Sequence, residues 1–227
     1  MSSWPEYDLE RLSGALLRVD MYEARYLAVH EHNNVVNHLL RSASAACLSD
    51  REEEANRFIA RAASRMAEWV AAVAAGRVNT STYADFAASR GLLAIAIASG
   101  GSAIATAFAE QTAAAPAGPT HNARLVAATM MGDLAAAEAS ARLCELSDAG
   151  LGLPWKKFAL ALLAKNEDGM RKCLNTWVQE KMEATMTHEW GAYNEVPIEV
   201  SGALALAARA GVGFKVDSNR VLTKFRS

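Results

Sequence analysis

The chain has 227 residues, of which 52% are hydrophobic and 21% charged, and a formal net charge of −2. That length is enough to bury a sizeable core within one large domain. A pI of about 6.2 excludes a protein whose main task is coating nucleic acid, which needs a strongly basic surface.

Alanine supplies about a fifth of the residues, which tilts the propensity sum toward helix. Alternating polar and apolar runs bounded by turn residues are nearly absent. The expected fold is all-α: antiparallel helical hairpins stacked in a single compact bundle, one domain over 1–227, with a short C-terminal tail. Met1 to Asp8 hold no basic stretch leading into an apolar run, so no signal peptide is expected. Residues 91–109 are mostly Ala and Gly with Ser and Thr between, too weakly apolar for a membrane span. Cys47, Cys144 and Cys173 are odd in number, widely spaced and set in apolar helical patterns. They are expected to be buried thiols in a reducing compartment, and the protein to be soluble and cytoplasmic.

In chain order, a first helix opens at Pro5 and carries Leu9, Leu12, Leu16, Leu17 and Val19 at helical spacing. A second stretch, Met21 to Leu40, repeats the pattern with Tyr22, Tyr26, Val29 and Val36. Asp50 followed by Glu53 has capping-box spacing and should open the next helix, whose apolar side is Phe58, Ile59, Met66, Trp69, Val70 and Val73. Gly76 stands where a left-handed C-terminal residue is wanted. Thr80 or Ser81 should cap the following helix, which runs through Phe86, Leu92, Leu93 and Ile95 toward Gly100 and Gly101. Its Ala-rich character predicts a central helix with neighbours on several sides. Pro116 to Pro119 is the clearest linker and the candidate subdomain break.

Beyond the linker, Leu125 to Met131, Gly132-Asp133, then Leu134 to Leu146 reads as helix, tight turn, helix. Pro154 to Lys165, Asn166 to Asp168, then Met170 to Met182 repeats it about 35 residues on, close to the period of tetratricopeptide-type hairpins. Ile198 to Ala210 forms the last helix with Gly211 as its stop. Val221, Leu222 and Phe225 should bring the tail back onto the bundle. Trp155, Phe158, Leu162, Trp177, Leu204 and Leu206 are expected to share one core.

Potential chemistry is sparse. His30, His32 and His38 with Glu31 are the densest set of potential ligands, but His32 points about 200° away from His30 on a helix. Zinc needs three or four convergent ligands, so neither metal nor cofactor is expected. His188-Glu189 lacks the second His of the metalloprotease pattern, no Gly-x-Ser-x-Gly elbow occurs, and Ser99 to Ser102 lacks the Lys of a phosphate loop. Arg57, Arg61 and Arg65 make a basic stripe, with Glu53 and Glu68 placed to pair along the same helix. Residues 180–199 hold Glu180, Glu183, Glu189, Glu195 and Glu199 against Lys181, a candidate acidic patch for partner binding whose alternative is an ordinary solvated face.

Pro154 to Leu163, the turn Asn166 to Gly169, a helix ending near Trp177, Glu195-Val196-Pro197 and Gly202 to Gly211 resemble the immunity protein 49 family of bacterial polymorphic toxin systems. The extended tail Val212 to Leu222 fits as well, although the family often has a Pro there and this chain reads Arg220-Val221-Leu222. The resemblance spans roughly residues 120–225, with the Met131-Gly132-Asp133 turn as an earlier copy of the hairpin. It implies a non-enzymatic protein whose partner is a cognate toxin made by the same cell, with no direct nucleic-acid or membrane partner. An acidic surface would suit a basic toxin domain such as a nuclease. The hairpin periodicity leaves open a helical adaptor or scaffold binding a protein partner, and the histidine group an enzyme with a helical site.

Overall fold

The computed structural model describes residue 23, residues 31–48, 50–98, 101–113, 120–144, 155–176 and 196–213, and residue 222. Every regular element among them is helical, and none is a strand. No helix among them is long and apolar enough to cross a membrane.

Helix α1 spans His32–Leu48. Glu31 lies outside it, and its carbonyl accepts the N–H groups of Asn34 and Val35 at 3.1 and 3.2 Å. Of the expected stretch Met21 to Leu40, the described helix therefore begins only after Glu31, whose side chain also accepts from Asn34 Nδ2 at 2.7 Å. Val35, Val36, Leu39, Leu40, Ala43, Ala46 and Cys47 form the buried face.

Asp50 corrects a second expectation. It has φ +56; its N–H reaches Cys47 O and the next N–H, of Arg51, reaches Ala46 O at 2.9 Å. This is the Schellman arrangement, so Asp50 ends α1 and does not cap the next helix. Helix α2, Glu52–Ala74, begins after Arg51 with no side-chain cap. Glu52, Glu53 and Glu54 supply negative charge to its first turn, which the helix dipole favours without an Asp cap. Gly76, at φ +67, closes α2 by the same pair of bonds, as expected.

Asn79, not Thr80 or Ser81, then caps a short 3-10 turn, Thr80–Thr82, by accepting from Ser81 N at 2.9 Å. Helix α3, Asp85–Ala98, starts only afterwards. Residues 87–97 of α3 are all buried, and the helix packs against α1, α2, α5 (His121–Met131) and α9 (Val196–Arg209). It is the expected central helix. Gly91 makes its approach to α2 close: a Cβ there would lie 2.8 Å from Met66 Sδ.

Helix α4, Ser102–Ala113, packs on α2 and α5. The Pro116 to Pro119 linker lies outside the described residues. The N-terminus of α5 is capped from another helix: Asp85 Oδ1 accepts Ala123 N–H at 2.8 Å, and Oδ2 accepts Asn122 N–H and Nδ2 at 3.2 and 2.9 Å. Gly132 (φ +72) turns the chain into α6, Leu134–Cys144. Helix α7, Trp155–Leu163, packs on α5 and α6 and leads through Lys165 (φ +52) into α8, residues 167–176. Both expected helix-turn-helix units are present over the described residues, which leave out 145–146 and 177–182 of their second helices, and the second turns on a lysine where glycine is the ordinary choice.

Gly211 (φ +80) ends α9 as expected. Leu222 is buried and its N–H donates to Ser201 Oγ at 3.2 Å, which fastens that point of the tail to α9. Phe158, Leu162, Leu204 and Leu206 fall in one apolar cluster that runs from α1 to Leu222. The side chains of Trp155 and Trp177, and the residues Pro5 to Val19, Val221 and Phe225, lie outside the described set.

Candidate functional site

Of the expected acidic group, Glu199 alone falls among the described residues. Glu199 is 0% exposed and sits opposite Arg90, itself 1% exposed, whose Nε and Nη2 both donate to Glu199 Oε1 at 3.3 Å. The guanidinium also lies 3.6 Å from the centroid of the Phe86 ring. Glu199 is therefore a core residue and leaves the expected partner-binding surface. Its misassignment has a physical cause: α9 is buried on all sides over residues 198–207, so a Glu there must be paired inside the core. Glu180, Glu183, Glu189 and Glu195 lie outside the described residues, as do His188 and the Ser99-Gly100 turn.

The basic stripe keeps the expected pairs along α2. Arg57 lies 3.5 Å from Glu53, and Arg65 Nη1 lies 2.5 Å from Glu68. It is more than a solvated face, however, because Glu23 bridges it: Arg61 Nη2 donates to Glu23 Oε2 and Arg65 Nε to Oε1. Burial opposes the Arg65 charge, yet hydrogen bonds to Glu23 and Glu68 outweigh it and hold the guanidinium above its ordinary value. No local pattern announces this contact, since Glu23 is 38 and 42 residues away from its partners.

Among the described residues, His32 and His38 take up separate roles. His32 is buried with its ring stacked parallel to Trp69, centroids 6.2 Å apart. His38 is half-buried, and burial, then Arg41, push it below its ordinary value. His30 lies outside the described residues, and no group of three metal-ligating side chains occurs among those described. Around Trp69 the bonds serve packing. Trp69 Nε1 donates to Thr82 Oγ1 at 3.0 Å, the Tyr83 hydroxyl to Gln111 Oε1 at 2.6 Å, and Gln111 Nε2 to Val70 O at 3.0 Å. Burial pushes the Tyr83 hydroxyl well above its ordinary value, so it acts as a donor and not as a base. Trp69 at the apolar side of α2 was legible in the sequence; its bond to Thr82 follows from the 3-10 turn, which was not.

Cys47 is buried as expected. Cys173 is only half-buried; burial raises its thiol pKa against the opposing pull of Lys157 and Lys172, which disfavours the nucleophilic thiolate. The Cys144 side chain lies outside the described set. The large apolar side chains left in water are Phe86, at 36%, and Leu134, at 46% exposure, among the described residues. Many of the described polar groups thus tie the helical elements to one another.

No protein-family model, curated protein or solved structure matches the chain.

Proposed function

We propose that the protein is an immunity protein, acting in the cytoplasm, that binds a cognate bacterial toxin and neutralises it by occupation and not by chemistry. The observation that supports this reading is the resemblance of roughly residues 120–225 to the immunity protein 49 family. Phe158 and Leu162 of α7 share a core with Leu204 and Leu206 of α9, and Gly211 supplies the left-handed stop. A body whose side chains are already ordered by internal hydrogen bonds loses less freedom on association, which favours a tight blocking interface. Glu180, Glu183, Glu189 and Glu195 remain the proposed acidic contact. Glu199 does not.

On this reading the gene should lie directly after a large secreted-toxin gene, and the test is co-expression with the product of that gene. Cells making both proteins should survive, and the two should purify together. A helical adaptor, the alternative reading, would bind its partner without restoring growth. Growth arrest equal to that with toxin alone, with no complex formed, would remove the immunity reading.

A further inference from the structure

The charge of the chain is not evenly spread. Residues 155–176, which hold α7 and α8, carry Lys156, Lys157, Lys165, Arg171 and Lys172 against Glu167 and Asp168. Five cations to two carboxylates make this hairpin net +3 within a chain of net −2. Glu167 is engaged inside the hairpin, where it accepts from Arg171 Nη2 at 2.6 Å. Lys157, Lys165 and Lys172 are exposed and enter no ion pair among the described residues. Two of them also lie close together. Lys157 of α7 and Lys172 of α8 both pull down the thiol of the half-buried Cys173 against the effect of its burial, so ammoniums from two helices converge on one edge of the hairpin. Leu160, one turn after Lys157 on the same face of α7, is half-buried. Behind that edge Phe158, Leu162, Met170 and Leu174 are buried, and α7 packs on α5 and α6. The hairpin therefore cannot turn its lysines inward.

We infer that this edge is a docking surface for the acidic face of a partner protein, with Lys157 and Lys172 meeting its carboxylates and Leu160 an apolar side chain beside them. Like charges gathered without an internal counter-charge repel one another, and an incoming anionic surface relieves that repulsion. The number of cations decides the class of partner. A strongly salt-dependent DNA surface makes ~6–10 phosphate contacts, and a polybasic membrane segment brings ~4–8 basic residues. Three lysines without an ion pair fall short of both. Glu167 and Asp168, exposed at the start of α8, would also repel a continuous polyanion laid along the hairpin. Carboxylates on a folded protein are discrete, and two converging ammoniums suit a pair of them. Complementary charge of this kind steers encounter and selects the partner. The surface is opposite in sign to the acidic stretch of the immunity reading and separate from it, so the inference goes beyond that reading.

The experiment uses the full chain at low salt with four probes: a short poly-L-glutamate peptide, poly-L-glutamine of the same length, a DNA duplex, and vesicles of phosphatidylserine and phosphatidylcholine. The glutamate peptide should bind and the glutamine peptide should not, with amide shifts gathered on α7 and α8. Lys157→Gln with Lys172→Gln should weaken binding by about fivefold, the scale of two exposed charge pairs, with circular dichroism unchanged. Arg77→Gln, at an exposed cation just beyond α2, should bind as wild type does. Equal binding of the two peptides, shifts centred on α2, or a double lysine variant that binds like wild type would each overturn the surface. Tighter binding of the duplex or the vesicles than of the glutamate peptide would overturn its assignment to a protein partner. No toxin enters these measurements, so their failure is distinguishable from failure of the immunity reading.

Discussion

Glu23 and His38 show how single side chains carry consequences beyond their own helix. Glu23 is a buried carboxylate held by two guanidiniums of α2, those of Arg61 and Arg65. Replacing it with Gln should lower the free energy of unfolding by about 1–2 kcal/mol, a charged hydrogen-bond contribution discounted because both arginines remain partly in water. Urea unfolding at low salt and at 1 M salt checks this: the difference from wild type should shrink as screening rises. An unchanged midpoint at low salt would mean that Glu23 rests on the stripe without holding anything. For His38 the direction of the pH effect follows from its depressed value, which burial and then Arg41 produce. Above the ordinary histidine value of about 6.5 the ring is neutral in both folded and unfolded chains and contributes nothing. As pH falls through that value the unfolded chain takes up the proton first, so stability falls and then levels off below the folded value. His38→Gln should remove this component of the slope between neutral and mildly acid pH. An identical slope in the variant would assign the effect to other groups.

Helix ends were the features least evenly legible. Gly76, Gly132 and Gly211 could be read as stops because glycine alone adopts positive φ without strain. Asp50 and Lys165 do the same work with side chains that disguise it, and Asp50 in particular mimics an N-cap in sequence. The start of α5 was hidden for a different reason: its capping carboxylate, Asp85, comes from α3, 37 residues earlier. Asp85→Ala should therefore loosen α5 at a distance. A loss on the order of 1–3 kcal/mol is expected for a cap made of several charged hydrogen bonds. Faster hydrogen exchange at Asn122 and Ala123 should accompany it, whereas exchange changes confined to the first turn of α3 would contradict the tertiary cap. Close helix approach also has a price in side-chain volume. Gly→Ala within a helix ordinarily gains up to about 1 kcal/mol from propensity. At Gly202 the added methyl would meet Leu93 Cβ at 2.9 Å, part of the side chain that cannot swing aside. Gly202→Ala should thus destabilise the protein in thermal melts, and a rise in midpoint would show that α9 can back away from α3.

At the scale of the whole molecule, composition alone indicated an all-helical chain. The central position of α3 was legible because a helix without a polar face has to be surrounded. The same logic holds for α9, but five glutamates over residues 180–199 mask the apolar run around Glu199. Charge content in sequence does not distinguish a residue that meets water from one that meets Arg90. On the proposed immunity reading, Glu183→Lys with Glu195→Lys should slow association with the toxin and weaken the dependence of the rate on salt, as expected where charges mainly steer encounter. Helical content should not change. Glu199→Lys should behave in the opposite way, placing two cations together in the core and reducing folded protein before any question of binding arises. Association rates at two salt concentrations, with circular dichroism and toxin protection for each variant, separate the two effects. If the double reversal leaves rate and protection intact, the acidic stretch does not contact the toxin. Arg57, 73% exposed and paired to Glu53 only at 3.5 Å, is then the next group to reverse, because Arg61 and Arg65 are already engaged by Glu23.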